Sequence, residues 1–176
     1  ISISSATNAA YFYIYSHINN FLKPGASANS NSHSFSNITI SNSTAGIYFL
    51  VQGESLSYPA NSNYHTFSNI TVINSTRGIY FSSYASCGSA YSNSHNISEI
   101  NVTNSTNGIY FFTYAYGYYG SSPCTAYAYS NSHSLANITI LNSTNAVYFY
   151  AYGYGSSANA SSNSHNLLYL SINNST

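Results

Sequence analysis

The chain repeats itself, and the repeat constrains its fold more than any other feature. Aligned on a histidine, five segments read NSHSFSNITISNSTAGIYF, NYHTFSNITVINSTRGIYF, NSHNISEINVTNSTNGIYF, NSHSLANITILNSTNAVYF and NSHNLLYLSINNST. The opening ISISSATNAAYFYIY matches the later ITILNSTNAVYFYAY without a gap. His33, His65, His95, His133 and His165 each stand five residues before an apolar residue: Ile38, Ile70, Ile100, Ile138 and Leu170. Counted from Ile1 through those residues, successive repeats are 37, 32, 30, 38 and 32 residues long, and the length varies only after the IYF element.

A period near 30 with variable length at a single point fits a solenoid whose loops leave from one corner. The residue types exclude helices. Each unit is Ser, Asn, Thr, Ile, Tyr and Phe in period-2 alternation, with almost no Leu, Glu, Lys or Gln to support a helix. The alternation places Asn131, His133 and Leu135 on one face of a first strand, Ile138 and Ile140 on one face of a second, and Val147 and Phe149 on one face of a third. Ser130, Ser132, Asn137, Thr139 and Tyr148 are then expected to face out. Three short strands per turn, stacked on the next turn at about 4.8 Å, make an all-β parallel β-helix. Residues 1–176 read as a single β-solenoid domain of about five coils, starting near Ile1, Ile38, Ile70, Ile100, Ile138 and Leu170.

NITISNSTAGIYF (37 to 49) and NVTNSTNGIYF (101 to 111) resemble the repeats of the right-handed parallel β-helix, or pectin-lyase-like, superfamily, and the resemblance covers nearly the whole chain. It implies the architecture and the handedness. It implies no single activity, because that superfamily includes lyases, glycosidases, adhesins and purely structural surface proteins. Its hydrolases use clustered Asp, and its lyases use acidic calcium ligands with a basic proton acceptor.

This chain has no Asp, and its only formal charges are Lys23, Arg77, Glu54 and Glu99. Glycosidic hydrolysis needs two carboxyls about 5 to 10 Å apart, and the two glutamates fall in different registers of different coils. The Ser and His of SNSH lack an acidic residue to orient the imidazole. No catalytic residue is therefore expected. A net charge of zero also removes the footprint for nucleic acid or an anionic membrane surface. No apolar run approaches the roughly 18 residues of a membrane span.

The histidine column admits two readings. A line of imidazoles can offer metal ligands, but a stack supplies no tetrahedron and no Cys or carboxylate sits in register with it. The expectation is a structural ladder of neutral His33, His65, His95, His133 and His165, with no metal and no cofactor. Asn31, Asn63, Asn93, Asn131 and Asn163 stand two residues earlier and are expected to form an internal ladder hydrogen-bonded from coil to coil.

Twelve other asparagines open N-x-[ST] sequons: Asn37, Asn42, Asn69, Asn74, Asn96, Asn101, Asn104, Asn137, Asn142, Asn159, Asn173 and Asn174. Nine of these sequons end in Thr although Ser is much the commoner residue. Thr in the Asn37 column is also what an exposed strand prefers, and a turn Asn can be one more internal ladder. The recurrent NST at a turn argues instead for N-linked glycans, which would hydrate a surface without charges. Cys87 and Cys124 occupy nearly equivalent places in successive coils, within disulfide reach. Their pairing would indicate an oxidising, extracellular or cell-surface location; buried free thiols are the alternative. The Tyr-rich segments 113 to 129 and 150 to 155 are expected to be loops that either contact glycans or surface proteins, or pack on their own coil. Neither end carries a charged or helical cap, so the expectation is either copies of the chain stacked head to tail into a fibre or an excerpt of a longer solenoid. Together these readings describe a structural, glycosylated fibre or coat protein. A carbohydrate-binding or adhesive module is the rival.

Overall fold

A computed structural model describes residues 1–16, 28–54, 59–119, 122–155 and 157–174. Lys23 and the tip of the longest Tyr-rich segment, residues 120 and 121, lie outside the described set. No helix occurs among the described residues. The strands form three parallel sheets, each ordered in space as in the chain. The first contains Ser2–Ser4, Ser34–Ser41, Thr66–Ile73, Asn96–Thr103, Ser134–Leu141 and Asn166–Asn173. The second contains Asn8–Ser16, Ala45–Gly53, Arg77–Ser86, Asn107–Tyr116 and Asn145–Tyr154. The third contains Ala28–Asn31, Ala60–Asn63, Ser89–Tyr91, Ala126–Tyr129 and Ala158–Ser161. The chain visits the three sheets in rotation, which makes it a parallel β-solenoid.

Register is the same at every step. Ile38, Ile70, Ile100, Ile138 and Leu170 pair in sequence across the first sheet. Phe12, Phe49, Phe81, Phe111 and Phe149 do so across the second, as do Ala28, Ala60, Ala90, Ala128 and Ala160 across the third. The main core lies between the first sheet and the first half of the second, where Ile, Val and Phe columns are buried. A second, narrower core of Ala60, Ala85, Ala90, Ala115, Ala126 and Ala128 joins the far half of the second sheet to the third. Small side chains there let two sheets approach closely.

Left-handed backbone makes the bends. Ser32, Tyr64, Ser94, Ser132 and Ser164 have positive φ between the third and first sheets, Ser5, Asn42, Asn74, Asn104 and Asn142 have it between the first and second, and Asn174 has it directly after the last first-sheet strand. Asn37, Asn69, Glu99, Asn137 and Tyr169 have it within the first-sheet strands. Asn tolerates this region better than most residues, which accounts for the Asn in two of the three columns. The positive-φ residue at mid-strand is skipped in the pairing, so Ile97 and Ile100 both face in although three residues apart.

These bends correct the simple alternation. Strands run 126–129, 134–141 and 145–154 in the fourth full coil, so His133 lies at a corner instead of inside a strand. The bend at Ser132 resets the parity: Ser130 is buried, not outward, while Asn131 is only half-buried and does not share the face of His133.

Gly46, Gly78 and Gly108 form another column, set by close approach. A Cβ on Gly78 would collide with the carbonyl oxygen of Gly108, the same position one coil on. Glu99, by contrast, is a poor fit to its column, because a longer side chain pays the left-handed penalty that Asn largely avoids. Replacing Glu99 with Asn should stabilise the protein by about 1 kcal/mol, seen as a rise of roughly 2–4 °C in thermal melting for a domain of this size. A lower melting temperature would contradict this account of the column.

Candidate functional site

The histidines form a continuous interior ladder. Ring centroids of His33, His65, His95, His133 and His165 follow one another at 5.2, 5.1, 4.9 and 5.1 Å with nearly parallel planes. His65, His95 and His133 are buried, His165 is half-buried and His33 at the first rung is exposed. Both ring nitrogens of the later four are engaged. The backbone N–H of each histidine donates to Nδ1 of the next, from His33 to His65 (3.0 Å), His65 to His95 (3.2 Å), His95 to His133 (3.1 Å) and His133 to His165 (3.3 Å). An Nδ1 that accepts is unprotonated, so the ring hydrogen sits on Nε2, which faces the hydroxyl of Ser62, Ser92, Ser130 or Ser162 at 2.8–3.1 Å. The serine of S-x-x-H is therefore a ladder partner; its spacing of three residues was the available signal, masked by the expectation that it faced solvent.

Phe rings flank this ladder. Phe111 lies 4.5 Å from His133 and Phe149 lies 4.0 Å from His165. In such surroundings a charged imidazole is disfavoured. Burial, and next the neighbouring imidazoles, hold His95 and His133 well below the usual histidine range. Burial lowers His165 to about 4. The Ser62–His65, Ser92–His95 and Ser130–His133 pairs are thus sealed in the core beside aromatic rings. Among the described residues no group of three or more His, Cys, Asp or Glu is arranged to hold a metal ion.

The column of Asn31, Asn63, Asn93, Asn131 and Asn163 runs beside the histidines but is not internal: its members are half-buried or exposed. Oδ1 of Asn31, Asn63, Asn93 and Asn131 each accepts the backbone N–H of the next Asn in the column, as from Asn63 to Asn31 at 2.9 Å and from Asn131 to Asn93 at 2.7 Å. The corner after Ser62, Ser92 and Ser130 turns these side chains outward while it turns serine in.

All twelve sequon asparagines are exposed. They occupy two main columns and four single positions. Asn42, Asn74, Asn104 and Asn142 form an external ladder in which Nδ2 of each donates to Oδ1 of its predecessor at 3.1–3.3 Å, and Asn174 takes the same backbone bend. Asn69 donates likewise to Asn37 at 2.6 Å, but Glu99 and Tyr169 replace Asn elsewhere in that column, leaving Asn137 as its third sequon. Asn96, Asn101, Asn159 and Asn173 stand singly. In the NST corner, Ser43, Ser75, Ser105 and Ser143 point in, whereas Thr44, Thr76, Thr106 and Thr144 are exposed beside their Asn. Backbone geometry alone explains the Asn, and the small interior explains the Ser.

The Tyr-rich segments differ most from expectation, because they are mainly strand. Residues 107–116 and 145–154 continue the second sheet and 126–129 lie in the third, with only the small antiparallel pair Tyr118–Tyr119 and Ser122–Pro123 projecting. Alternation puts Ala115 and Thr113 inside and the tyrosines outside. Tyr80, Tyr110 and Tyr148 stack coil upon coil, each step 5.0 Å, while Tyr48 meets Tyr80 edge-on at 4.8 Å and Tyr11 lies tilted against Tyr48 at 5.1 Å. Tyr84, Tyr114 and Tyr152 form a second stack at 5.5 and 5.6 Å, and Tyr116 and Tyr154 a third at 5.6 Å. In the stacked pairs the rings cover one another's faces. Arg77 lies over Tyr80, 4.7 Å from the ring centroid.

Cys87 and Cys124 are disulfide-bonded with Cα atoms 5.3 Å apart, tying the projecting segment to the preceding coil. The bond fits an oxidising compartment. No described helix is long and apolar enough to cross a membrane. Glu54 accepts from the Tyr15 hydroxyl at 2.8 Å and from Gln52 Nε2 at 3.0 Å, on the second-sheet side, while Glu99 lies in the first sheet. Comparison of the chain with protein-family models, with curated proteins and with solved structures finds no match.

The ladder makes stability pH-dependent in one direction. An unfolded histidine binds a proton near pH 6.5, but His95, His133 and His165 bind theirs lower in the fold. Their contribution is therefore complete above about pH 6.5 and is lost as pH falls toward about 4, where the unfolded chain carries more protons. With only two carboxylate side chains in the chain, little else titrates in that interval. Melting temperature should be level above neutrality and fall steadily through the histidine range; a flat profile down to about pH 4 would rule out a neutral ladder.

Proposed function

We propose that this protein is a structural, non-enzymatic component of an exported fibre or coat, a β-solenoid sheathed in N-linked glycans. The observation that carries the reading is the NST corner. Its Asn and Thr, the two residues a sequon needs, are exposed together in coil after coil. The disulfide supports export. The scarcity of charge supports a surface hydrated by something other than ionised side chains. Sealed serine–histidine pairs and separated glutamates support a scaffold in place of an active site.

Head-to-tail assembly with copies of itself belongs to the same reading. A coil bearing the same Ile, Phe, Asn and Tyr columns can add in the register that internal coils already use. Affinity with the right-handed parallel β-helix superfamily remains a proposal, resting on the parallel in-register sheets and the repeat motifs.

Intact mass spectrometry of protein from its native source, before and after removal of N-glycans by an amidase, tests the glycan sheath. The expected result is a mass above that of the bare polypeptide, with enzymatic release converting Asn to Asp at the 42, 74, 104 and 142 corners. A mass equal to the bare polypeptide would end the glycoprotein reading. Electron microscopy of the same material should show regular fibres; discrete monomers would remove the self-assembly half.

A further inference from the structure

The outer face of the second sheet concentrates one kind of chemistry. The chain has no Met and no Trp, and both cysteines are tied in the disulfide, so the side chains most readily oxidised elsewhere are missing or protected. Twenty-one tyrosines remain, the principal targets for a one-electron oxidant. Those of the last second-sheet strand lie open to solvent, Tyr148, Tyr152 and Tyr154 being 40%, 43% and 49% exposed.

Geometry adds what composition cannot. Tyr110 and Tyr148 are 5.0 Å apart at an interplanar angle of 7°, Tyr114 and Tyr152 are 5.6 Å apart at 21°, and Tyr116 and Tyr154 are 5.6 Å apart at 5°. In-register pairing puts equivalent ring edges about one strand spacing apart, ~4.8 Å. A radical formed on any of these rings meets a second phenol of its own ladder before one from another molecule. The strands on which they sit are already joined by backbone pairing, so little chain entropy opposes a covalent link.

We propose that these ladders are a site of oxidative modification, at which a haem peroxidase with hydrogen peroxide, or an equivalent one-electron oxidant, joins stacked tyrosines of adjacent coils as dityrosine. Each phenol gives up one electron and one proton to become a phenoxyl radical. The two radicals pair through their ortho carbons, one C–C bond forms, and each ring regains aromaticity as its ortho hydrogen transfers to its oxygen. Hydrogen peroxide takes up two electrons and two protons, its O–O bond breaks and two waters leave. The result staples coil to coil along the solenoid axis, one step beyond the disulfide, which ties Cys124 back to the preceding coil.

One neighbour serves as a control written into the fold. Tyr150 lies in the same face, but its equivalent one coil back is Phe112, 5.4 Å away, and phenylalanine forms no phenoxyl radical. Coil-to-coil coupling therefore spares Tyr150, whereas coupling governed by exposure alone does not.

The test is peroxidase and peroxide treatment of dilute, disulfide-intact protein, read by dityrosine fluorescence, denaturing electrophoresis and mass spectrometry of proteolytic fragments. Expected is fluorescence in the monomer band, with cross-linked fragments joining Tyr110 to Tyr148 and Tyr114 to Tyr152, and each link lighter by two hydrogens. The Tyr148→Phe, Tyr152→Phe, Tyr154→Phe variant keeps rings in the stack and should lose the links to this strand while retaining Tyr84 to Tyr114. The same oxidation in denaturant should abolish the preference for those pairs. Dityrosine confined to dimers, coupling of Tyr150 as frequent as that of Tyr148, the same pairs in denatured protein, or unmodified tyrosines would each overturn the proposal.

Discussion

Parallel hydrogen bonding in one constant register is the interaction on which the rest of this molecule depends. Each strand pairs with its own equivalent one coil away, so most core and corner side chains are placed about 4.8 Å above a copy of the same or a similar residue. Such stacking rewards groups that interact well with themselves. Ile on Ile and Phe on Phe remove apolar surface from water; Asn on Asn pairs a donor with an acceptor; Tyr on Tyr stacks in the offset geometry aromatic rings favour. Charge does the reverse, because like charges one strand apart repel. The near absence of Asp, Glu, Lys and Arg is therefore a consequence of the register as well as a feature of the surface.

The histidines show the same rule inside the core. A column of imidazoles is compatible with burial only if all are neutral, and the backbone enforces this by sending an N–H to Nδ1 at each rung. Protonating that nitrogen would set a donor against a donor between aromatic rings. The ladder thus gains cooperativity at neutral pH and carries its sensitivity to acid with it. Outside, the asparagine corners use the tolerance of Asn for left-handed backbone to turn the chain and reuse its amide as a rung. A glycan on such a corner would take one hydrogen of an amide that has another to donate, so ladder and sugar do not compete outright.

Much of the fold was legible because repetition reports neighbours directly. His95 and His133 align in the sequence, and they stack in space; Cys87 and Cys124 align, and they are bonded. What could not be read was the direction of side chains across bends. Period-2 alternation carries through a strand but not through a positive φ, so Ser130 was expected outside and is buried against His133. Nothing in the letters SNSH distinguishes a left-handed serine from an extended one. The tyrosines misled for a related reason: Gly and Tyr in alternation with variable repeat length resemble a loop, yet strand pairing extends through residue 116 in one coil and 154 in the next.

By itself the sequence determined the period, the strand character, the columns that stack and the absence of paired carboxylates, all of which follow from residue identity and spacing. Tertiary structure alone decided which face each column takes. Two properties had to be seen in space: the closing of serine onto histidine, and the assembly of scattered Tyr residues into continuous stacks on one outer face. Both depend on where the backbone turns left-handed, a choice set by how three sheets close around a shared core and not by local preference.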